Sequence, residues 1–125
     1  MTGKSVAEKA RIKPGTTIAV LNEAPGVIGT LGLPADVTFV DAAKAQLVFL
    51  FVNTHAELEA LMPKAVAELS PEAALWVFYR KGAKAAGLDM SRDSVWSVAE
   101  TADLRPLGLV SVDSTWSAFR LRRAR

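Results

Sequence analysis

The sequence predicts an α/β domain, a three-layer sandwich with a mostly parallel central sheet, helices on both faces and a C-terminal antiparallel hairpin. Short apolar runs alternate with helical patterns along the chain, which is the order typical of a parallel sheet covered by helices. Residues 47–52 (LVFLFV) and 74–79 (ALWVFY) are continuously apolar, as expected of central strands buried on both faces. The chain has 125 residues, the size of one domain, so we expect a single core over residues 1–125.

The first predicted elements are a short helix and a strand. Ser5 and Glu8 have the spacing of a capping box, and Pro14-Gly15 would end the helix that begins there. Residues 17–21 (TIAVL) then have the pattern of a strand buried on both faces. Residues 22–32 are rich in turn-forming residues, so we expect a loop after this strand.

The next two predicted strands are joined by an unusually short connection. Residues 37–40 (VTFV) predict a short strand that Asp41 closes, and the strand at 47–52 follows after AAKAQ. A crossover between parallel neighbours needs about a dozen residues. The two strands therefore either lie apart, with an extended return, or pair in another way.

A helix is predicted after the strand at 47–52. Thr54 and Glu57 form a second capping box, and apolar residues recur at three- and four-residue intervals between positions 58 and 69. Pro63 interrupts this stripe and should kink the helix or split it in two. Residues 70–72 predict a turn before the next buried strand, at 74–79.

The last third predicts a helix and a hairpin. Ser91 would cap a helix with apolar residues at 95, 96, 98 and 99, which ends before Pro106. Residues 107–112 and 116–121 flank the turn sequence 113–115 (DST), the pattern of an antiparallel hairpin.

Composition excludes several classes of site and location. The longest apolar run is far shorter than the roughly 18 to 20 residues of a membrane span, and the first residues have no signal-peptide pattern. We therefore expect a cytoplasmic protein. The chain has no cysteine, which excludes thiol nucleophiles and thiolate metal sites. The carboxylates are scattered, so we predict no metal site and no catalytic group.

Charge is distributed unevenly along the chain. Residues 1–13 carry a net charge of +3, residues 14–79 carry −5 and residues 80–125 carry +4. The basic C-terminal third, which ends in FRLRRAR, would attract nucleic acid or acidic surfaces. Because no nucleic-acid-binding motif accompanies the charge, a solvated surface is the favoured interpretation.

Polar residues cluster where the predicted parallel strands end. Ligands of such sheets gather beyond the carboxyl ends of the strands. The candidate ligand-binding residues there are Asn22, Asp41, Asn53, His55, Arg80, Lys81 and Lys84. Gly82 would let backbone N–H groups and the two lysines converge on an anion. His55, the only histidine, follows the predicted N-cap Thr54, so a structural role at the helix start is favoured over catalysis.

The whole chain resembles a small bacterial family of uncharacterised single-domain proteins. The resemblance is most specific at residues 79–84 (YRKGAK), 91–93 (SRD) and 113–118 (DSTWSA). The family commonly has a proline where this chain has Arg80. The resemblance implies a fold unit and brings no activity with it.

More distantly, the element order is similar to a shortened S-adenosylmethionine-dependent methyltransferase. The shared features are the KPG turn before the first strand, a second strand that ends in an acid, and the final hairpin. In that superfamily a glycine-rich loop follows the first strand and the acid holds the cofactor ribose, which implies this role for Asp41. The loop here, residues 22–26 (NEAPG), has one glycine and places Glu23 and Pro25 where backbone would approach the cofactor.

These observations lead to one leading function and two alternatives. The leading hypothesis is a non-catalytic domain, without a cofactor, that binds a small anionic ligand or a protein partner at the carboxyl edge of the sheet. The first alternative is a methyltransferase-like enzyme that uses S-adenosylmethionine, and the second is nonspecific nucleic-acid binding through the basic C-terminal segments. An edge strand at residues 37–40 is also compatible with a homodimer. The three tryptophans, at 76, 96 and 116, are expected to pack in the core or at an interface.

Overall fold

A computed structural model of the chain describes residues 6–10, 12–23, 26–34, 36–80, 92–113 and 115–123, except for the side chains of Lys9 and Arg92. The elements in chain order are α1 (Val6–Ala10), β1 (Thr17–Leu21), a 3₁₀ turn (Ile28–Thr30), β2 (Thr38–Phe39), a second 3₁₀ turn (Ala42–Lys44), β3 (Leu47–Phe51), α2 (His55–Glu68), β4 (Ala74–Arg80), α3 (Arg92–Thr101), β5 (Leu104–Ser111) and β6 (Trp116–Arg123). The predicted helix caps Ser5 and Ser91 lie outside the described residues.

Six strands form one mixed sheet in the order β2-β1-β3-β4-β6-β5. The strands β2, β1, β3 and β4 are parallel, whereas β6 runs antiparallel to both β4 and β5. Helices α2 and α3 pack on one face of the sheet, and α1 packs on the other with the first 3₁₀ turn. The predicted fold class, with its C-terminal antiparallel hairpin, is confirmed.

The short connection after β2 follows from the position of that strand. Strand β1 lies between β2 and β3 and is parallel to both, so β2 and β3 are not neighbours. Phe39 in β2 and Leu47 in β3 both pair with Ile18, near the start of β1. Because the chain leaves β2 at the level where β3 begins, it does not have to return along a whole strand, and the second 3₁₀ turn completes the crossing. The two strands lie apart, as one of the two predicted arrangements has it, but a 3₁₀ turn joins them in place of the expected extended return.

Helix α2 begins at the predicted capping box. The Oγ1 atom of Thr54 accepts a hydrogen bond from the backbone N–H of Glu57, at 3.1 Å. The Glu57 carboxylate in turn accepts one from the backbone N–H of Asn53, at 2.6 Å, which is one residue before the N-cap. The helix then runs without a break through Pro63, so the predicted split does not occur. Pro63 is exposed on the helix surface. None of the described helices has the length and apolar character needed to cross a membrane.

Two apolar clusters fill the spaces on the two faces of the sheet. The cluster under α2 and α3 is mainly aliphatic and includes Leu50, Leu58 and Val77. The cluster under α1 is rich in aromatic rings: the Phe51 and Phe78 rings stack with centroids 4.4 Å apart. Continuous apolar runs in β3 and β4 supply both clusters, because alternate residues of a strand point to opposite faces.

The three tryptophans pack in or against the core, as predicted, and each contacts another aromatic ring. Trp76 and Trp116 are 2% and 4% exposed and belong to the aromatic cluster. Trp96 stacks on Phe119 across the other face, with ring centroids 6.3 Å apart.

Strand β5 begins at Leu104, earlier than the predicted start at residue 107, and it includes Pro106. This is compatible with the missing N–H of proline because β5 is the edge strand of the sheet. The register shifts between Pro106 and Gly108, where the chain forms a bulge. A proline and a bulge both discourage the pairing of this edge with another strand.

Candidate functional site

The carboxyl ends of β1 and β3 are joined by an asparagine. Asn22 follows β1 in the left-handed region, with φ of 55°, and its Nδ2 donates to the backbone carbonyl of Phe51 at 2.8 Å. Asparagine adopts this conformation more readily than most residues. Asn22, a predicted ligand-binding residue, therefore has a structural contact at the predicted edge.

Asn53 and Arg80 are in direct contact at the ends of β3 and β4. The Nε atom of Arg80 donates to Oδ1 of Asn53 at 2.9 Å. The guanidinium carbon lies 4.7 Å from the ring centroid of Trp116, a cation–π distance. Trp116 is itself positioned by Asp113, whose Oδ1 accepts from the Trp116 backbone N–H at 2.7 Å. The exposed guanidinium of Arg80 is thus held in one orientation at this edge.

His55 is the first residue of α2 and follows Asn53 by two residues. Its Nε2 is 3.2 Å from Oε2 of Glu59, one helical turn later. The side chain is 30% exposed. A helix-surface contact of this kind agrees with the structural role that the sequence favours for His55.

Asp41 lies apart from Asn53 and Arg80. The last ladder hydrogen bond before it joins the backbone N–H of Val40 to the carbonyl of Ile18, at 2.9 Å, beside the first half of β1. Asp41 is exposed and lines a recess of about 410 Å³ with Ala43 and Glu68, on the face that α2 covers. The early end of β2 places this carboxylate before the end of β1.

A second recess adjoins the first and was not predicted from the sequence. It has a volume of about 350 Å³ and is lined by Val20, Glu23, Ile28, Phe39 and Val40. Val20 and Val40 line both recesses. Phe39 is 54% exposed, because β2 is the outer strand of the sheet. A large aromatic residue in a very short edge strand was the only sequence signal of this recess.

The remaining predicted site residues, Lys81 and Lys84, lie outside the described residues, as does Gly82. Among the residues that are described, no group of three or more histidine or carboxylate side chains is arranged to hold a metal ion. The structure therefore forms two separate groups from the predicted residues. Asn53 and Arg80 form a row in direct contact, which His55 follows along the chain; Asn22 bonds to the end of β3, and Asp41 lines the first recess next to β2.

Comparison with solved structures relates this fold to methyltransferases. The chain is similar to a ribosomal protein L11 methylase from Lactobacillus delbrueckii subsp. bulgaricus, with a TM-score of 0.59 and 12% identity over 94% of this chain and 74% of that one. It is also similar to a TehB-like S-adenosylmethionine-dependent methyltransferase from Corynebacterium glutamicum, with a TM-score of 0.54 and 10% identity over 93% and 84% of the two chains.

A larger enzyme shares the same core. This is the O-methyltransferase NcsB1 from neocarzinostatin biosynthesis, solved with S-adenosylmethionine; its TM-score is 0.63 and its identity 11%, over 87% of this chain and 49% of that one. No protein-family model matches the sequence, and no curated protein matches it significantly. At these identities the likeness establishes a methyltransferase-like α/β fold and leaves the activity to be argued from the site.

Proposed function

We propose that this chain binds an adenosyl compound, S-adenosylmethionine or a close relative, in the two recesses beside β2. The observation that carries the proposal is the recess lined by Val20, Glu23, Ile28, Phe39 and Val40. It combines apolar walls with one carboxylate next to the outer parallel strand. Apolar walls suit a flat base, and a carboxylate suits the hydroxyl groups of a ribose.

The residues present fit the nucleoside part of such a ligand. Phe39 is an exposed aromatic residue of this recess, and Val20 and Ile28, which are partly buried, line it too. Glu23 and Asp41 supply hydrogen-bond acceptors on either side of the wall formed by Val20 and Val40. The side chain of Asp41 makes no capping hydrogen bond to the second 3₁₀ turn. Both carboxylates are exposed, so each is available for a hydroxyl donor.

The described part of the loop after β1, which leaves out residues 24 and 25, does not show a crowded glycine cradle. Gly26 has a φ of +83°, which only glycine adopts easily, but a Cβ built there would meet nothing within 4 Å. Its role in the described structure is therefore to turn the chain. For this reason the proposal concerns binding through the nucleoside and assigns no catalytic side chain.

Isothermal titration with S-adenosylmethionine, S-adenosylhomocysteine and adenosine tests the proposal. The wild-type chain should bind the adenosyl compounds saturably and show a raised melting temperature. Asp41→Asn and Glu23→Gln should each weaken binding by about tenfold, since each removes a charged hydrogen-bond acceptor. Glu100→Gln, which removes an exposed carboxylate on α3, is the matched control and should bind like the wild type. If no adenosyl compound binds the wild-type chain, the proposal is wrong.

A small anion at the row formed by Asn53 and Arg80 is a second candidate function. It is favoured by the fixed orientation of the Arg80 guanidinium, between the Asn53 amide and the Trp116 ring. In the same titrations, inorganic phosphate should then bind the wild type and fail to bind a chain with Lys81→Ala and Lys84→Ala. Unchanged phosphate affinity in that double variant would refute this role for the two lysines.

A further inference from the structure

A third recess lies at the opposite, amino end of the parallel strands. It has a volume of about 360 Å³, and its lining includes Lys13, Gln46, Leu47, Trp76 and Arg120. Leu47 begins β3, and Gln46 lies just before it, which places the recess at the amino edge. It is therefore separate from the recesses beside β2 and from the row at Arg80.

Arg120 lines this recess and has one buried hydrogen-bond donor. Its Nε atom is buried and makes no hydrogen bond within the described part of the chain. Its guanidinium carbon lies 6.0 Å from the Trp76 ring centroid, and Nη2 would lie 3.1 Å from a Cβ on Gly108. The guanidinium is thus packed between an aromatic ring and a side-chain-free stretch of backbone. The Nε atom of Arg123 is in the same state, and an atom without exposed surface cannot be reached from the recess, so a ligand there would meet Arg120 through its Nη atoms.

The surroundings of Arg120 are basic. Lys13 lines the same recess and is exposed, and none of the described residues that line it is acidic. Arg105 and Arg122 pair directly across β5 and β6, and Arg122 lies on the same strand face as Arg120. Like charges directly opposite one another destabilise a sheet. Four basic side chains therefore lie at the amino edge, together with the Asp36 carboxylate, whose Oδ1 accepts from the backbone N–H of Gly15 at 3.1 Å.

The recess also offers an apolar floor and a free amide donor. Leu47 and Leu107 line it, and Leu107 is 42% exposed. The Oε1 atom of Gln46 accepts from the backbone N–H of Thr17 at 3.0 Å. Within the described ranges the Nε2 amide of Gln46 has no hydrogen-bond acceptor. Two cations, one amide donor and apolar walls form a recess for a small anion with an apolar body.

We infer that this recess binds a small organic oxyanion, whose carboxylate or phosphate head pairs with Arg120 and Lys13 and whose apolar part lies against Leu47 and Leu107. The head would accept hydrogen bonds from the Nη atoms of Arg120 and from the ammonium of Lys13. This site is independent of the proposed adenosyl site, because the two share no lining residue.

Titration of the full chain with benzoate, phenyl phosphate and inorganic phosphate at low salt tests the inference. Benzoate and phenyl phosphate should each bind saturably and more tightly than inorganic phosphate, because only they have an apolar body. The affinities of benzoate and phenyl phosphate, compared with each other, show whether a carboxylate or a phosphate head is preferred. Arg120→Gln should weaken binding of the preferred probe by about tenfold or more, since a charged hydrogen bond is lost.

Three further variants separate this site from general surface charge. Lys13→Gln changes an exposed residue and should also weaken binding, so the test does not depend on the folding of the Arg120 variant. Arg105→Gln and Lys64→Gln each remove one positive charge outside the recess and should leave the affinity unchanged. The inference is overturned if none of the probes binds, or if Arg105→Gln or Lys64→Gln weakens binding as much as Lys13→Gln does.

Discussion

Individual side chains at the edges of this sheet make structural contacts that the sequence alone does not predict. Asn22 was predicted as a ligand-binding residue, yet its amide joins β1 to β3, and its φ of 55° is a conformation that asparagine tolerates. Gly108 is also explained by its position in the fold. Its φ of +144° favours glycine, and the absence of a side chain leaves room for the Arg120 guanidinium. In both cases the backbone conformation explains the residue type.

The substitution Gly108→Ala should destabilise the protein by about 1 kcal/mol or more. Alanine is strained at positive φ, and its Cβ would lie 3.1 Å from the Arg120 guanidinium. The free energy of unfolding from urea denaturation measures the effect. Gly29→Ala is the matched control: no positive φ is recorded for Gly29, and a Cβ there meets nothing within 4 Å. Equal effects of the two substitutions would contradict this explanation of Gly108.

Helix α2 is stabilised at its two ends by different means. A capping box from within the helix satisfies the N-terminus, through Thr54 and Glu57. The C-terminus is satisfied from another element: Nη2 of Arg123, in the last strand, donates to the carbonyls of Val66 and Leu69 at 2.8 and 2.6 Å. A cation at this end also complements the helix dipole. The sequence predicts the first contact because it is local, and not the second, which spans more than fifty residues.

The substitution Arg123→Ala should therefore destabilise the protein by about 1 to 2 kcal/mol, since two carbonyls lose a charged donor. Arg123→Lys should give an intermediate loss, because an ammonium keeps the charge without the planar donor geometry. Amide hydrogen exchange should show the loss of protection concentrated in the last turn of α2. A uniform loss over the whole chain would argue against a cap at this position.

The whole molecule has a sheet with two unlike faces and two unlike edges. The aromatic face includes Phe49, which is fully buried and has its ring centroid 5.1 Å from those of both Trp76 and Phe78. Phe39, near the same face, is half exposed at the outer strand. One phenylalanine is thus part of the core, whereas the other lines a recess proposed to bind a ligand.

The difference in burial between Phe49 and Phe39 predicts different consequences of replacing each with alanine. Phe49→Ala should cost about 3 to 5 kcal/mol of unfolding free energy, because it leaves a cavity in the core. Phe39→Ala should change stability by only about 0.5 kcal/mol and weaken adenosyl binding instead. If the alanine variant at position 49 does not fold, Phe49→Leu should still show a loss of about 1 kcal/mol. A stable Phe49→Ala variant would contradict the described packing.

The sequence by itself determined the three central parallel strands, the long helix and the fold class. Residues 17–21 were predicted as a strand and form β1, and the apolar runs at 47–52 and 74–79 became β3 and β4, each with its predicted end displaced by one residue. The capping box at Thr54 placed the start of α2. These features could be predicted because apolar periodicity and helix caps depend on neighbours within a few residues along the chain.

Only the tertiary structure decided where the candidate sites lie. The position of Asp41 depends on β2 ending beside the start of β1, and the recess around Arg120 is assembled from segments as far apart as Lys13 and Leu107. Strand order, register and the packing of side chains across strands result from contacts between distant parts of the chain, which no local pattern encodes. For this reason the sequence predicted the polar residues at the carboxyl edge but not the basic recess at the amino edge.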